Sequence, residues 1–126
     1  MVGIGAAVLI VDDEPGMCWA LDQILRGIGI ASVAVTSGQE ALRVAQGQRF
    51  RLAFVDAKLP DAEGMELAHR IRGANPGIHI VLVSGYFYGN DPEVLRAAAA
   101  GVIDGFVGKP FLHDEVRAIV RGALAA

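Results

Sequence analysis

Apolar runs of strand length alternate with helix-period segments along the whole chain. The runs fall at Ala6–Val11, Ala31–Val35, Leu52–Val55, Ile78–Val83 and Val102–Val107. Each is continuous rather than alternating apolar with polar. That predicts strands covered on both faces, as in a parallel sheet. Helical segments fill the gaps. Pro15 suits a first helical turn, and Met17, Leu21, Ile24, Leu25 and Ile28 follow at helical spacing, with Gly27 and Gly29 bracketing the end. Ser37-Gly38-Gln39-Glu40 is a capping-box pattern opening a second helix. Met65, Ala68 and Ile71 mark a third, with a stop at Gly73 and the Asn75-Pro76 turn. Asp91-Pro92 opens a fourth, running through Ala97–Ala100 to Gly101. Val116, Ile119, Val120 and Leu124 mark the fifth, and Leu112 stands where Ser, Thr or Asp would cap it better. Five βα units in series predict an α/β fold, a doubly wound parallel sheet with right-handed crossovers. The 126 residues suffice for one domain, 1–126, with one core.

Composition narrows the function classes. At 53% hydrophobic and 20% charged the chain is globular rather than disordered. A net charge of −3 with scattered Arg and Lys gives no footprint for direct nucleic-acid binding. The single Cys18 excludes an internal disulfide and a Cys-based zinc site, and fits a reducing cytosol. Mean hydropathy is high, at +0.44. Even so, no run approaches the roughly 20 apolar residues of a membrane span, and no signal-peptide pattern opens the chain. The expectation is a soluble cytoplasmic protein without a membrane partner.

Chemistry gathers at strand tips. Asp12 and Asp13 end the first run, Asp56 the third, Ser84 the fourth, and Lys109 follows the fifth. In open parallel sheets ligands bind beyond the carboxyl ends of the strands, where strand order reverses. Three acids packed together repel, and one takes up a proton unless a cation joins them. Mg²⁺ is the hard, oxygen-seeking answer, held by one or two carboxylates, waters and a phosphate oxygen. Asp56 can then serve as an in-line nucleophile toward a phosphoryl group, giving an acyl phosphate. Mg²⁺ and Lys109 would neutralise the equatorial oxygens, and Ser84 would hydrogen-bond one of them.

These motifs carry a resemblance. Val11-Asp12-Asp13-Glu14-Pro15, Val55-Asp56-Ala57-Lys58-Leu59-Pro60 with Gly64, Val83-Ser84-Gly85, and Phe106-Val107-Gly108-Lys109-Pro110-Phe111 occur in that order on five βα units. Together they resemble the receiver domains of two-component response regulators, CheY-like, over essentially the whole chain. The resemblance implies a flavodoxin-like strand order 2-1-3-4-5. It also implies that Asp56 is the phosphoacceptor of a histidine kinase's phosphohistidine. Asp13, Asp56 and the backbone carbonyl of Lys58 would ligate Mg²⁺, with Asp12 acting largely through water. Lys109 would pair with the phosphoryl group, Ser84 would swing toward it, and Phe106 would rotate inward. The bond before Pro110 would be cis. The surface of the fourth helix, fifth strand and fifth helix would then move, controlling an output domain or a partner, or pairing with a second protomer. Such a domain catalyses only its own phosphorylation and slow dephosphorylation.

Departures and alternatives complete the reading. Phe106 stands where the family often has Tyr, and Gly101 lies one residue farther than usual from Lys109, so the loop into the fifth strand is expected to be longer. Asp13 through Leu21 resembles receivers that head AAA+ activators of sigma-54 polymerase. Neither their ATPase nor their DNA-binding domain is present, so the chain reads as a fragment or as a free-standing receiver. Lys58 and Tyr86, two residues beyond Asp56 and Ser84, are candidates to shield the acyl phosphate from water. His69, His79 and His113 lack ligand spacing, Cys18 reads as an ordinary helix cysteine, and Trp19 lies off the apolar stripe. A haloacid-dehalogenase-type phosphatase shares the acids, lysine and Mg²⁺, but needs an Asp-x-Asp after the first strand. A phosphate-independent pseudo-receiver would lack an acid or the lysine. A flavodoxin would need a Ser/Thr-rich phosphate loop.

Overall fold

The computed structural model describes residues 7–85 and 91–124. The chain alternates β1 (Val8–Val11), α1 (Pro15–Arg26), β2 (Ser32–Val35), α2 (Gly38–Gly47), β3 (Leu52–Asp56), α3 (Gly64–Ala74), β4 (His79–Ser84), α4 (Pro92–Ala99), β5 (Gly105–Gly108) and α5 (His113–Leu124). The strands form one parallel sheet in the order β2-β1-β3-β4-β5. Strand order therefore reverses between β1 and β3, and a crevice opens beyond their carboxyl ends.

The continuous apolar runs follow from burial on two faces. Successive strand residues point to opposite sides. Leu9, Val11, Ala53, Val55, Ile80 and Leu82 pack with Ala41, Ala45, Leu67, Ile71 and Val94 on the α2, α3 and α4 side. Val8, Ile10, Leu52, Phe54, Val81 and Val83 pack with Leu21, Leu25, Val116 and Val120 on the α1 and α5 side. Only β1 and β3 are buried at every position. At the edge, β2 leaves Ala34 exposed and Ser32 and Val33 half-buried.

Several boundaries differ from the sequence expectation, each for a local reason. The fifth strand begins at Gly105, not at Val102. Gly101 adopts φ 75°, and the Val102 and Ile103 amides turn back to donate to the Ala97 carbonyl, so this apolar pair closes α4 instead of extending β5. Asp104 then fixes the strand's entry by accepting from the Ile80 amide at 2.8 Å and from Arg72 at 2.6 Å. The third helix runs through Gly73 and ends at Asn75, whose buried side chain donates to the Ala45 carbonyl of α2 and accepts the Phe50 amide ahead of β3. In the first turn of α1 the buried position is Cys18, while Met17 is only partly covered. The missing cap of α5 is made good from within the helix, where Glu115 accepts the Leu112 amide at 3.1 Å. Ser37 caps α2 as expected, although Glu40 reaches back to Thr36 rather than to Ser37.

Gly64 is required by close approach. A Cβ there would collide with the Asp56 carbonyl oxygen and lie 2.7 Å from the Ala57 Cα. The first residue of α3 thus abuts the backbone at the tip of β3. Gly64→Ala is expected to lower the unfolding free energy by about 1–3 kcal/mol, the usual cost of overpacking. Urea denaturation checks this, and an unchanged midpoint would show that the β3 tip yields freely.

Candidate functional site

The register brings the strand tips together. Val11 pairs with Val55, so the residues that follow them, Asp12 and Asp56, stand side by side. Ser84 pairs with Gly108 across β4 and β5, and the Lys109 amide donates to the Ser84 carbonyl at 2.9 Å. The Lys109–Pro110 peptide is cis. From this position Lys109 reaches back over the sheet to β1 and β3.

Its ammonium is shared. Lys109 Nζ lies 3.0 Å from Asp12 Oδ2, 3.2 Å from Glu14 Oε1 and 3.5 Å from Asp56 Oδ2. Asp12 and Asp56 are 2% and 5% exposed, whereas Glu14 and Asp13 face solvent. Asp12 Oδ1 also accepts the Glu14 amide at 2.9 Å. Asp12, Asp13 and Asp56 each bring a carboxylate oxygen within 4.8 Å of the others.

One ammonium does not balance that many acids. Burial, and then the charge on Asp12, push the Asp56 carboxyl up to about 6, against the pull of Lys109 and the Lys58 amide. Burial alone would lower Lys109. The hydrogen bond and charge of Asp12 and the charge of Asp56 outweigh it, and its pKa is raised. The crevice is short of positive charge, and its donors are hard oxygens with an open, solvent-facing side at Asp13. That donor set fits Mg²⁺, which keeps several waters and binds through one or two carboxylates.

The remaining expected residues occupy definite places. Ser84 is buried at the tip of β4, and Phe106 is half-buried on β5, packed against the α2–α3–α4 side of the core. The Lys58 amide donates to Asp56 Oδ1 at 3.4 Å, and Lys58 bridges to Glu63 across the loop after β3. Tyr86 falls outside the described residues. His69 and His113 are exposed on α3 and α5, His79 opens β4, and none joins the acid cluster. The Cys18 thiol is buried and donates to the Asp12 carbonyl at 3.3 Å. Burial and then Asp12 push its pKa up, which leaves a packing residue rather than a nucleophile. Sequence reasoning missed Glu14 as a partner of Lys109. Its adjacency to the acid pair was the available signal. A cleft of about 490 Å³ lined by Arg49, Arg51 and Arg72 lies at the opposite end of the strands and takes no part in this site.

A doubly wound sheet with three acids and a lysine at its switch point defines the receiver class of protein. The response regulator receiver domain family matches residues 8–121, and the chain belongs to that family. Among curated relatives, the "Probable transcriptional regulatory protein TcrX" of Mycobacterium tuberculosis is 32% identical over 97% of this chain and 51% of its own length. The transcriptional regulatory protein GlrR of Escherichia coli is 30% identical over 94% of this chain and 26% of its own. The chain thus spans about half or a quarter of the relatives it matches. A CheY-like receiver domain from Methanospirillum hungatei superposes with TM-score 0.83 at 28% identity, covering 91% of this chain and 90% of that one. The receiver domain of a sensor histidine kinase from Pseudomonas aeruginosa, solved with magnesium in its active-site cleft, gives TM-score 0.82 at 25% identity, covering 98% and 100%. Family membership supports a role in phosphorylation-dependent signalling. Among the described residues no helix is long and apolar enough to cross a membrane.

The raised Asp56 carboxyl has a consequence for stability. It moves from 3.8 in the unfolded chain to about 6 in the fold, so folding favours the protonated form. Stability linked to this group is fully present below about pH 4 and is lost as pH rises through about 6. At about 1.4 kcal/mol per unit, ionised Asp56 costs the metal-free fold on the order of 3 kcal/mol. Asp56→Asn, with chelator present, is expected to be more stable than wild type by about that amount near pH 8 and by little near pH 4. Urea unfolding at the two pH values measures the difference. A variant no more stable than wild type near pH 8 would contradict the assignment.

Proposed function

We propose that this chain is a phosphorylation-dependent switch whose Asp56 carboxylate accepts a phosphoryl group from the phosphohistidine of a histidine kinase. An Asp56 oxygen attacks phosphorus, the phosphorus–nitrogen bond breaks, and the imidazole leaves with its electron pair. The observation that carries this reading is the Lys109 ammonium held 3.5 Å from a buried carboxylate at the switch point, where it can follow the charge onto an incoming phosphoryl oxygen. Asp13, Asp56 and the Lys58 carbonyl would hold Mg²⁺, with Asp12 acting largely through water. When bound, the ion neutralises phosphoryl charge that Lys109 alone cannot.

Ser84 and Phe106 are the proposed reporters. Ser84 would hydrogen-bond the new group, and Phe106 would move into the space it leaves, shifting the α4-β5-α5 face toward a partner, an output domain or a second protomer. Transcription control, and a sigma-54 activator within it, is the proposed output in the cytoplasm, supported by relatives named as transcriptional regulatory proteins. Lys58 and Tyr86 are proposed to set the lifetime of the acyl phosphate by covering its mouth. The chain acts on its own aspartate and on no external substrate.

Incubation with acetyl phosphate and Mg²⁺, read by intact mass, tests the reading. Wild type is expected to gain one phosphoryl group, and Asp56→Asn none. Stoichiometric labelling of Asp56→Asn, or steady turnover of an external phosphoester by wild type, would overturn it. Lys58→Ala is expected to change the dephosphorylation rate several-fold. An unchanged rate would remove Lys58 from the tuning role.

A further inference from the structure

The loop that follows Asp56 is tied to a helix on the far side of the crevice. Asp61, at the loop's exposed tip, accepts the Gly38 amide at 2.8 Å and the Gln39 amide at 3.0 Å, both in the first turn of α2. Those amides belong to the unpaired donors of a helix start, where a carboxylate is also favoured by the helix dipole. The two bonds span 23 and 22 residues of sequence, so they are a tertiary tie rather than a local cap.

Helix α2 carries its own side-chain cap besides Asp61. Ser37 Oγ already accepts the Glu40 amide at 3.2 Å, and Glu40 reaches back to Thr36. The sequence also clears room for the loop. A Cβ at Gly38 would stand 2.9 Å from the Ala62 Cβ and 3.3 Å from Asp61 Oδ1, so any larger residue there would push the loop tip off. The rest of the loop is short and internally braced. Lys58 bridges Glu63, the Leu59 amide donates to the Ala62 carbonyl at 3.1 Å, and the Gly64 amide donates to the Ala57 carbonyl at 2.8 Å. A braced loop with one anchored tip transmits that anchor to its base, and its base is Asp56-Ala57-Lys58.

We propose that Asp61 is a positioning residue, a latch that holds the loop carrying Lys58 against α2 and so presets the metal-binding edge of the site. The proposal rests on the Mg²⁺ reading given above. The latch does not touch the metal or the phosphoryl group. It narrows the loop's conformations before either arrives, so that less ordering remains to be done on binding. Outer-shell partners of metal ligands typically set affinity by tenfold or more. A partner one step farther out is expected to set it by about three- to tenfold.

The test compares Asp61→Ala, Asp61→Asn and Ser37→Ala with wild type. Ser37→Ala weakens the same helix start without touching the loop. Mg²⁺ affinity is read by calorimetric titration, and latch opening by hydrogen exchange at the Gly38 and Gln39 amides. Asp61→Ala is expected to expose both amides and to weaken Mg²⁺ about three- to tenfold. Asp61→Asn, which keeps one acceptor oxygen, should fall between, and Ser37→Ala should match wild type in Mg²⁺ affinity. Exposed amides with unchanged Mg²⁺ affinity in Asp61→Ala would overturn the latch, as would equal weakening in Ser37→Ala. A wild type that binds no Mg²⁺ would instead bring down the metal reading, and the latch with it.

Discussion

One ammonium shared among three carboxylates is the constraint on which this molecule turns. Lys109 lies within ion-pair distance of Asp12, Glu14 and Asp56, and Asp13 adds a fourth acid at the rim. Removing any acid would relax the crevice. Keeping them leaves a buried carboxyl with its pKa raised to about 6 and a site that gains by taking up positive charge. A stable core would not hold this imbalance, because buried charges that are under-paired are costly. It belongs to a site suited to taking up a dication, and under the proposed function that dication would also offset the negative charge a phosphoryl group brings.

The fold supplies the rigidity that makes such a cluster possible. Its members come from three strands, and the parallel register sets their spacing before any side chain is placed. Gly64 lets α3 press on the tip of β3, and Asp61 ties the following loop to α2. On the other side Asp104 and Arg72 fix the entry to β5, the strand that carries Phe106 and aims Lys109. A binding event at the crevice therefore acts on elements that are held elsewhere, and the proposed function reads its effect as a shift between two packings. Moving such an equilibrium from 1:99 to 99:1 takes about 5.5 kcal/mol of differential stabilisation. Under the proposed function, the charge rearrangement at Asp56 and Lys109 would be its source.

Most of the architecture was legible because both faces of the inner strands are covered, which leaves unbroken apolar runs in the sequence. Legibility failed where an apolar pair served another end. Val102 and Ile103 look like strand residues, yet they close α4 because Gly101 turns the chain at positive φ. Edge position also hid itself, since Ala31–Val35 reads as fully buried while β2 is covered on one side only. At the site, the acids and the lysine announced themselves by their place at strand tips. Glu14 and Asp61 did not, because each looks like a solvated loop acid and its partner lies 95 or about 23 residues away. Long-range partners of exposed acids leave no periodic trace.

Asp56 carries a charge that the metal-free fold does not fully accommodate. The most direct test is a pH titration of the Asp56 carboxyl carbon by ¹³C NMR, without and with Mg²⁺. The account predicts a midpoint near 6 in the metal-free protein and a marked downward shift when Mg²⁺ is added. A midpoint near the ordinary 3.8 that does not respond to Mg²⁺ would contradict it.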